Sequence, residues 1–208
     1  EVVPINKFHA QPITMKELEV KAISDKMRVI VCTDGNLDTS EEIVSPAVKE
    51  GMAISDTSTD IIKIVVVNRY QKAPLSIGFI KGTGLKRGAV AQSITHDSHN
   101  IIAIGCTDEE LAKAINEVIL QQGGITVVNG TETTTLSLPI AGLLSPLPLD
   151  EIDATYRILE SKMQDLGSTL SSLQMTLAFM SLLVIPSLKL GDKGLFNGDK
   201  FSFTTLFV

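Results

Sequence analysis

The segment DIIKIVVVNRY, residues Asp60–Tyr70, is the strongest strand signal of the chain and decides its fold class. It is rich in β-branched residues and almost continuously apolar. A strand without alternation of polar and apolar residues is typical of a position covered on both faces of a sheet. We therefore predict a sheet with other elements packed on both of its sides.

Further strands are predicted on either side of this segment. Apolar runs follow the pattern of strands at MRVIVCT (27–33), LSIGFIKG (75–82) and NIIAIGC (100–106). EEIVSPAVKEGMAI (41–54) is predicted to be an edge strand, because Pro46 cannot donate to a ladder. ITVVNGTETTTLSLPI (125–140) predicts a hairpin around Asn129–Gly130. KFSFTTLFV (200–208) has the pattern of a strand after an irregular tail.

Two helices are predicted from their periodicity and their ends. TDEELAKAINEVILQQGG (107–124) begins with a capping box, Thr107 and Glu110, and ends at Gly123–Gly124. LDEIDATYRILESKMQDLG (149–167) ends at Gly167. Their apolar stripes are Leu111, Ala114, Ile115, Val118 and Ile119 in the first, and Ile152, Tyr156, Leu159, Met163 and Leu166 in the second.

These elements predict an α/β or α+β fold with a mixed β-sheet and at least two packed helices. We treat residues 1–208 as one domain, with a strand-rich start (1–59) and a main α/β part (60–208). Hydrophobic residues make up 44% of the chain and aromatic residues 4%. The core is therefore expected to consist mainly of aliphatic side chains.

Charge and hydropathy exclude several classes of partner. The net charge of −6 argues against nucleic acid and anionic membranes, which both require a basic surface. The longest apolar stretch, LAFMSLLVIP (177–186), is about half the length that spans a bilayer. EVVPINKFHA (1–10) has no signal-peptide core. We expect a soluble protein and, because the chain opens on Glu1 without Met, a piece of a longer one.

The two cysteines, Cys32 and Cys106, are too few for a disulfide scaffold. Each follows an apolar strand, so we expect buried free thiols in a reducing cytoplasm.

The segment GFIKGTGLKRGAVAQSITHDSHNIIAIG (78–105) holds the candidate site residues. Its first half has glycines at 82, 84 and 88, which match neither the dinucleotide fingerprint nor a P-loop. Free amides at Gly82 and Gly84 could still hold an anion, and the basic residues nearby are Lys81, Lys86 and Arg87. The alternative is a tight turn that uses the positive φ angles of glycine.

The second half, HDSHN, contains His96, Asp97, His99 and Asn100. A metal site lacks a third ligand, because the only other histidine, His9, is remote in sequence. Two further alternatives remain open beside a metal site that uses His96, His99 and the carboxylate of Asp97. The segment is a polar loop whose side chains bond one another, or it supplies substrate contacts or a proton relay to a site completed by another domain. No nucleophile motif is present, and the helix carboxylates are explained by capping.

Five stretches together resemble the C-terminal domain of microbial adenine deaminases, members of the amidohydrolase superfamily. They are KIVVVNRY, the segment 78–105, LPIAGLLS, MTLAFMSLLVIPSLKLGDKGL and FSFTTLFV, in matching order from about Asp60 to the C-terminus. The resemblance implies part of a cytoplasmic hydrolase of purine salvage and adenine catabolism, which converts adenine and water to hypoxanthine and ammonia.

The same resemblance implies that the chemistry lies outside this chain. The family uses a (β/α)8 barrel with a binuclear manganese or iron centre, and 208 residues cannot hold that barrel beside the elements assigned above. We therefore expect no cofactor within this chain, no activity in isolation, and the missing barrel domain as its partner. A homo-oligomer is possible.

Three roles follow as hypotheses. In the first, the loop from Lys81 to Asn100 closes or shapes the active site of the barrel, with His96, Asp97, His99 and Asn100 as hydrogen-bond partners. In the second, the domain is a packing or dimerisation module of an amidohydrolase with another substrate, with exposed apolar surface at AFMSLLVIP. In the third, Lys86 and Arg87 bind a free anion.

Overall fold

The computed structural model describes residues 5–208 and shows a fold of the α/β class. Glu1–Pro4, the first residues of the predicted strand-rich start, lie outside the described part. The strands are β1 (Met27–Val31), β2 (Ser40–Val44), β3 (Val48–Lys49), β4 (Met52–Ala53), β5 (Ile61–Val67), β6 (Ser76–Lys81), β7 (Ala89–Gln92), β8 (Ile101–Gly105), β9 (Gly124–Asn129), β10 (Glu132–Ser137), β11 (Leu188–Gly191), β12 (Gly194–Asn197) and β13 (Ser202–Phe203). The helices are α1 (Asp108–Leu120), α2 (Leu149–Asp165) and α3 (Leu173–Phe179), preceded by a short 3₁₀ helix at Met15–Leu18.

Eight strands form one mixed sheet in the order β10-β9-β7-β8-β5-β6-β1-β2. All neighbours are antiparallel except β1 and β6, which run parallel. β1 and β2, from the first 59 residues, belong to the same sheet as the strands of the main part. A three-stranded sheet (β11-β12-β13) and a two-stranded hairpin (β3-β4) complete the described fold.

The large sheet is covered on both faces. One face packs against α1 and the segment that contains Phe8 and Leu18. The other face packs against α2, α3 and the three-stranded sheet. All seven residues of β5 are buried, which confirms the prediction from its uninterrupted apolar run.

Lys63 is the one charged residue within β5 and is almost fully buried. Its Nζ donates to both carboxylate oxygens of Asp108, at 2.7 and 2.8 Å, and to the carbonyl of Leu18 at 2.8 Å. A buried cation requires such partners, because an unpaired charge is costly to remove from water. The ion pair joins the first turn of α1 to the central strand.

Both predicted helices are confirmed. The hydroxyl of Thr107 accepts from the amide of Glu110 at 3.2 Å, but only half of the predicted capping box forms. The Glu110 carboxylate bonds the Thr107 hydroxyl and the amide of Gly130 instead of closing on the backbone of Thr107. Gly167, at φ +107°, follows the end of α2 as predicted.

Several strand predictions are corrected. The predicted edge strand 41–54 is divided: β2 is the sheet edge, and β3 and β4 form a separate hairpin after Pro46. The tail before residue 200 is not irregular, since it contains α3, β11 and β12. In the terminal segment only Ser202–Phe203 forms a strand. The hairpin around Asn129–Gly130 is confirmed, with Asn129 opposite Glu132.

The apolar stretch AFMSLLVIP is not an exposed surface. Ala178, Met180 and Ser181 are buried, and among its larger apolar side chains only Val184 is strongly exposed. Within residues 5–208, no helix has the length and apolarity required to cross a membrane.

The segment Lys81–Asn100 is not one loop, because β7 runs through its middle. Lys81 lies opposite Ile61 at one end of the sheet, whereas Gln92 lies opposite Ile102 and Ile125 at the other end. The four residues of β7 span about 13 Å. We call the end with residues 82–88 the glycine end and the end with residues 93–100 the histidine end. The two ends are too far apart to bind one small molecule together.

Candidate functional site

At the glycine end, the amides that could bind an anion are occupied by a carboxylate of the chain itself. Gly82 and Gly84 donate their N–H groups to the two oxygens of Asp60, each at 2.9 Å. The Thr83 hydroxyl lies 3.4 Å from the same carboxylate. Asp60 therefore holds the turn closed.

Glycine is required at these positions for steric reasons as well. Gly82 has φ +100°, and a Cβ there would lie 2.2 Å from the carbonyl oxygen of Cys32. Gly88 has φ +74°, and a Cβ there would lie 2.4 Å from the carbonyl oxygen of Val128. Both contacts are with backbone, which cannot move aside. The alternative of a tight turn, left open by the sequence, agrees with this geometry.

The three basic side chains at this end also have partners within the chain. Lys81 Nζ lies 2.8 Å from a carboxylate oxygen of Glu42. Lys86 Nζ donates to the carbonyl of Thr57 at 3.0 Å, and Arg87 donates to the carbonyl of Asp165. Lys86 and Arg87 point to different neighbours and do not converge on a shared position in these contacts.

The two cysteines lie at the glycine end and are free thiols. Cys32 is buried, and burial, reinforced by the charge of Asp60, raises the pKa of its thiol to about 12. Cys106 is half-buried, and burial together with Glu110 raises the pKa of its thiol to about 11. A thiol with so high a pKa is a poor nucleophile at neutral pH, because the thiolate is the reactive form.

Within residues 93–100 at the histidine end, His96 is partly accessible, with 38% of its side chain exposed. Its ring stacks on Phe179, the last residue of α3, with centroids 4.7 Å apart and planes 28° from parallel. Its backbone amide donates to the carbonyl of Ala178 at 2.8 Å. α3 therefore fixes the position of His96 through both the ring and the backbone.

His99 lies beside His96, with ring centroids 6.0 Å apart. Burial lowers the pKa of His99, and the nearby positive charge of Arg69 and the ring of His96 lower it further. The imidazole is therefore biased toward its neutral form, in which one nitrogen accepts a hydrogen bond. Its Nδ1 is buried and has no partner within residues 5–208.

Asn100 supports the loop. Its side-chain oxygen accepts from the amide of Arg69 at 3.1 Å, and its Nδ2 donates to the Ser98 hydroxyl at 3.1 Å. The Tyr70 hydroxyl donates to the carbonyl of Ser98 at 2.6 Å. Asp97, in contrast, is 83% exposed.

Arg69 connects the histidine end to two other segments. Its guanidinium donates to the carbonyl of Ala141 at 2.7 Å and to the Tyr70 hydroxyl at 3.0 Å, and it lies over the rings of Phe8 and Tyr70. The residue is buried, and no carboxylate within residues 5–208 forms an ion pair with it.

Unpartnered polar atoms concentrate at this end. Within residues 5–208, the buried side-chain nitrogen and oxygen atoms without a hydrogen-bond partner are Asn6 Oδ1, Arg69 Nε, Gln92 Oε1, Thr95 Oγ1 and His99 Nδ1. Gln92 and Thr95 flank the end of β7, and Asn6 bonds the carbonyls of Gln122 and Pro139 at the same end of the sheet. Such atoms are rare in a completed fold and require an explanation.

No metal site forms in the described part of the chain. Among residues 5–208, no group of three or more His, Cys, Asp or Glu side chains is arranged to hold an ion. His96 Nδ1 and Asp97 Oδ1 are 4.0 Å apart, and two ligands fall short of the three or four that a protein site uses. The binuclear centre implied by the resemblance does not fit these residues.

Sequence reasoning missed Arg69, Tyr70 and Phe179 as parts of this site. Arg69 and Tyr70 stand at the end of the strongest strand, and Phe179 lies in a stretch that reads as core. Only the fold brings them to the histidines. The ending of a buried strand in a charged and an aromatic residue was the one available signal.

Comparison with known protein families assigns the chain. Residues 36–202 match the family model described as "Adenine deaminase C-terminal domain". The chain is a member of this family. It is 57% identical over 203 residues to an adenine deaminase of Parabacteroides distasonis, and this match covers 98% of the chain and 37% of that relative. It is 50% identical over 183 residues to one from Methanosarcina mazei, covering 88% of the chain and 33% of the relative.

An adenine deaminase of Salinibacter ruber is 43% identical over 207 residues, which is 98% of the chain and 38% of the relative. The chain thus spans little more than a third of the length of these curated relatives. The C-terminal domain predicted from the sequence is confirmed as the family of this chain.

Proposed function

We propose that the chain serves as the C-terminal portion of an enzyme that hydrolyses adenine to hypoxanthine and ammonia in purine salvage. Three relatives with 43–57% identity over most of this chain carry the name adenine deaminase, which supports the proposal. The reaction takes place on the part of the enzyme outside these residues, with its metal ions bound there. The isolated chain is expected to be inactive, and an assay of ammonia release from adenine by the chain alone checks this.

Within that enzyme, we propose that the histidine end shapes or closes the substrate site. The observation that carries this role is His96, a half-exposed imidazole held on the ring of Phe179, with the neutral-biased His99 beside it. Imidazole nitrogens can hydrogen-bond the edge of a purine ring, and aromatic faces can stack on it. Asp97 is exposed and free to contact the same ligand, whereas Asn100 acts through the position of the loop.

The test uses the full-length enzyme with His96→Asn and His99→Asn. We expect kcat/KM for adenine to fall about tenfold or more in His96→Asn, because a positioned hydrogen bond to the reacting ligand is lost. Asn is chosen at position 99 because it tolerates the positive φ of this position, φ +51°. Thr131→Asn, in the β9–β10 turn at the glycine end, is the control. Unchanged kcat/KM in both histidine variants would refute this role.

A second function has one observation in its favour. The loop is supported by hydrogen bonds within the chain, since Asn100 and Tyr70 hold Ser98 and Arg69. This agrees with a packing module that takes no part in catalysis. Removal of the domain from the full-length enzyme distinguishes the two. A packing module leaves kcat and KM unchanged in whatever enzyme remains folded, whereas a domain that shapes the site alters them.

A further inference from the structure

The first described residues of the chain, 5–10, run along the histidine end of the sheet. The carbonyl of Ile5 accepts from the amide of Ala141 at 2.9 Å, and Asn6 donates to the carbonyls of Gln122 and Pro139. The amides of His9 and Ala10 both donate to the carbonyl of Arg69. The first described residues therefore lie along the end of the sheet that carries the histidines.

Four large apolar side chains project into solvent at this same end. Ile5 belongs to the segment just described, Tyr70 follows β5, Leu120 is the last residue of α1, and Leu144 follows β10. Their exposed fractions lie between 39% and 82%. They are four of the seventeen large apolar side chains that are exposed within residues 5–208, and exposed apolar side chains near polar groups are a feature of protein–protein contacts.

The unpartnered polar atoms give an independent indication. All five of those found within residues 5–208 lie at the histidine end, and the glycine end has none. Buried donors and acceptors that lack partners within a domain can be satisfied by groups from a neighbouring one or by water held at the contact.

The relatives indicate which part of the enzyme contacts the histidine end. The matched region is 33–38% of their length, and its family is described as a C-terminal domain. In the two relatives whose match covers 98% of this chain, most of the polypeptide therefore precedes this domain and joins it next to the segment that corresponds to residues 5–10. Because this segment lies on the histidine end, the polypeptide that precedes it in those relatives enters the domain at that end.

We propose that the histidine end is the docking surface for the preceding domain of the same polypeptide, with Ile5, Tyr70, Leu120 and Leu144 in the contact. The inference rests on the proposed function, since it assumes the longer enzyme, and it specifies how the histidines come to face a site outside this chain. The glycine end remains in solvent.

Hydroxyl-radical footprinting of the full-length enzyme tests the surface. Labelling of Tyr70, Leu120 and Leu144 is compared with that of Val48, an exposed apolar residue of the β3–β4 hairpin. After correction for intrinsic reactivity, we expect the three to be labelled about fivefold less than Val48, because side chains in an interface lose most of their contact with water. Equal labelling would overturn the proposal.

A double variant provides a second, directional measurement. Leu120→Lys with Leu144→Lys places two charges in the proposed contact, and Lys is compatible with the C-terminal turn of α1. We expect labelling of Tyr70 to rise several-fold in this variant and to stay unchanged in the matched control Val48→Lys. Protection that disappears on dilution to the monomer would identify a second copy as the occupant and overturn the proposal.

The outcome is separable from that of the proposed function. Histidine variants with unchanged kcat/KM refute the role in the substrate site but leave the footprint as expected. A histidine end that is labelled like Val48 refutes the docking surface, whatever the kinetics of the histidine variants.

Discussion

The two ends of the sheet, joined by the short strand β7, differ in whether their buried polar groups have hydrogen-bond partners within the chain. At the glycine end, no buried side-chain nitrogen or oxygen of the described residues lacks a hydrogen-bond partner. Asp60 accepts from the turn amides, and Glu42 pairs with Lys81. At the histidine end, five buried polar atoms have none within residues 5–208. The difference agrees with a glycine end that stabilises the fold of this domain and with the proposed docking of a preceding domain on the histidine end. Substitutions should therefore affect stability at the first and function at the second.

The largest effect is expected for Gly82→Ala. A Cβ there would lie 2.2 Å from the carbonyl of Cys32, in a left-handed conformation with φ +100°. We expect a loss of about 3–5 kcal/mol in the free energy of unfolding, measured by chemical denaturation. Gly35→Ala is the matched control, with φ +72° and no atom within 4 Å of the added Cβ, and should cost about 1–2 kcal/mol. Equal losses would show that the glycine end is not tightly constrained.

A smaller loss is expected for Asp60→Asn. The amide keeps one acceptor oxygen, but its nitrogen would face one of the two N–H groups of Gly82 and Gly84. Asn tolerates the positive φ of this position, φ +57°, so backbone strain is not introduced. We expect a loss of about 1–3 kcal/mol, and none for the exposed control Asp25→Asn. A neutral result for Asp60→Asn would mean that the carboxylate does not hold the turn.

These effects also bear on what the sequence could predict. β5, α1 and α2 were predicted because their signals are local: an apolar run, a cap and a heptad-like stripe. β7 was missed because AVAQ is short and has no periodicity, and its extended form depends on pairing with β8 and β9 on either side. α3 was missed because two of its buried residues, Gln174 and Thr176, are polar.

The site depended even more on distant contacts. Asp60 reaches Gly82 across 22 residues and Arg69 reaches Ala141 across 72. No pattern of spacing encodes such pairs, so the glycines left both an anion site and a tight turn open, and the carboxylate of Asp60 that binds their amides was not predicted. The histidines lie in a loop between β7 and β8, and Phe179, on which His96 rests, could be placed only by the fold.

At the histidine end, Phe179→Leu should cost only about 1 kcal/mol, because the loss is that of one aromatic stack. The more specific readout is the NMR resonance of His96, which should move as the ring current of Phe179 is removed, while that of His9 stays in place. A loss above about 3 kcal/mol would contradict the comparison, since it would make this end as important for stability as the glycine end.

The smallest effect concerns pH. The folded pKa of His99 is lowered by burial, so below the ordinary value of 6.5 the unfolded chain binds more protons than the folded one at this residue. Stability should therefore decrease as the pH falls from 6.5 toward the folded pKa, and be fully retained above 6.5. His99→Asn should reduce this decrease, measured by denaturation at pH 7.5 and pH 5.5. An identical pH dependence in the variant would contradict the burial of the imidazole.

The cysteines at the glycine end can be used to follow its opening, because the pKa of each thiol is high. Cys32 directly follows β1 and Cys106 directly follows β8. Both thiols are protonated at neutral pH in the folded structure of this end. Because Cys32 is also buried, an alkylating reagent modifies this thiol chiefly in molecules that have transiently opened there. When closing is faster than alkylation, the labelling rate of Cys32 divided by the rate of a free thiol gives the equilibrium constant for that opening. The alkylation rate of Cys32 in the wild-type chain thus measures how often the glycine end of the sheet opens.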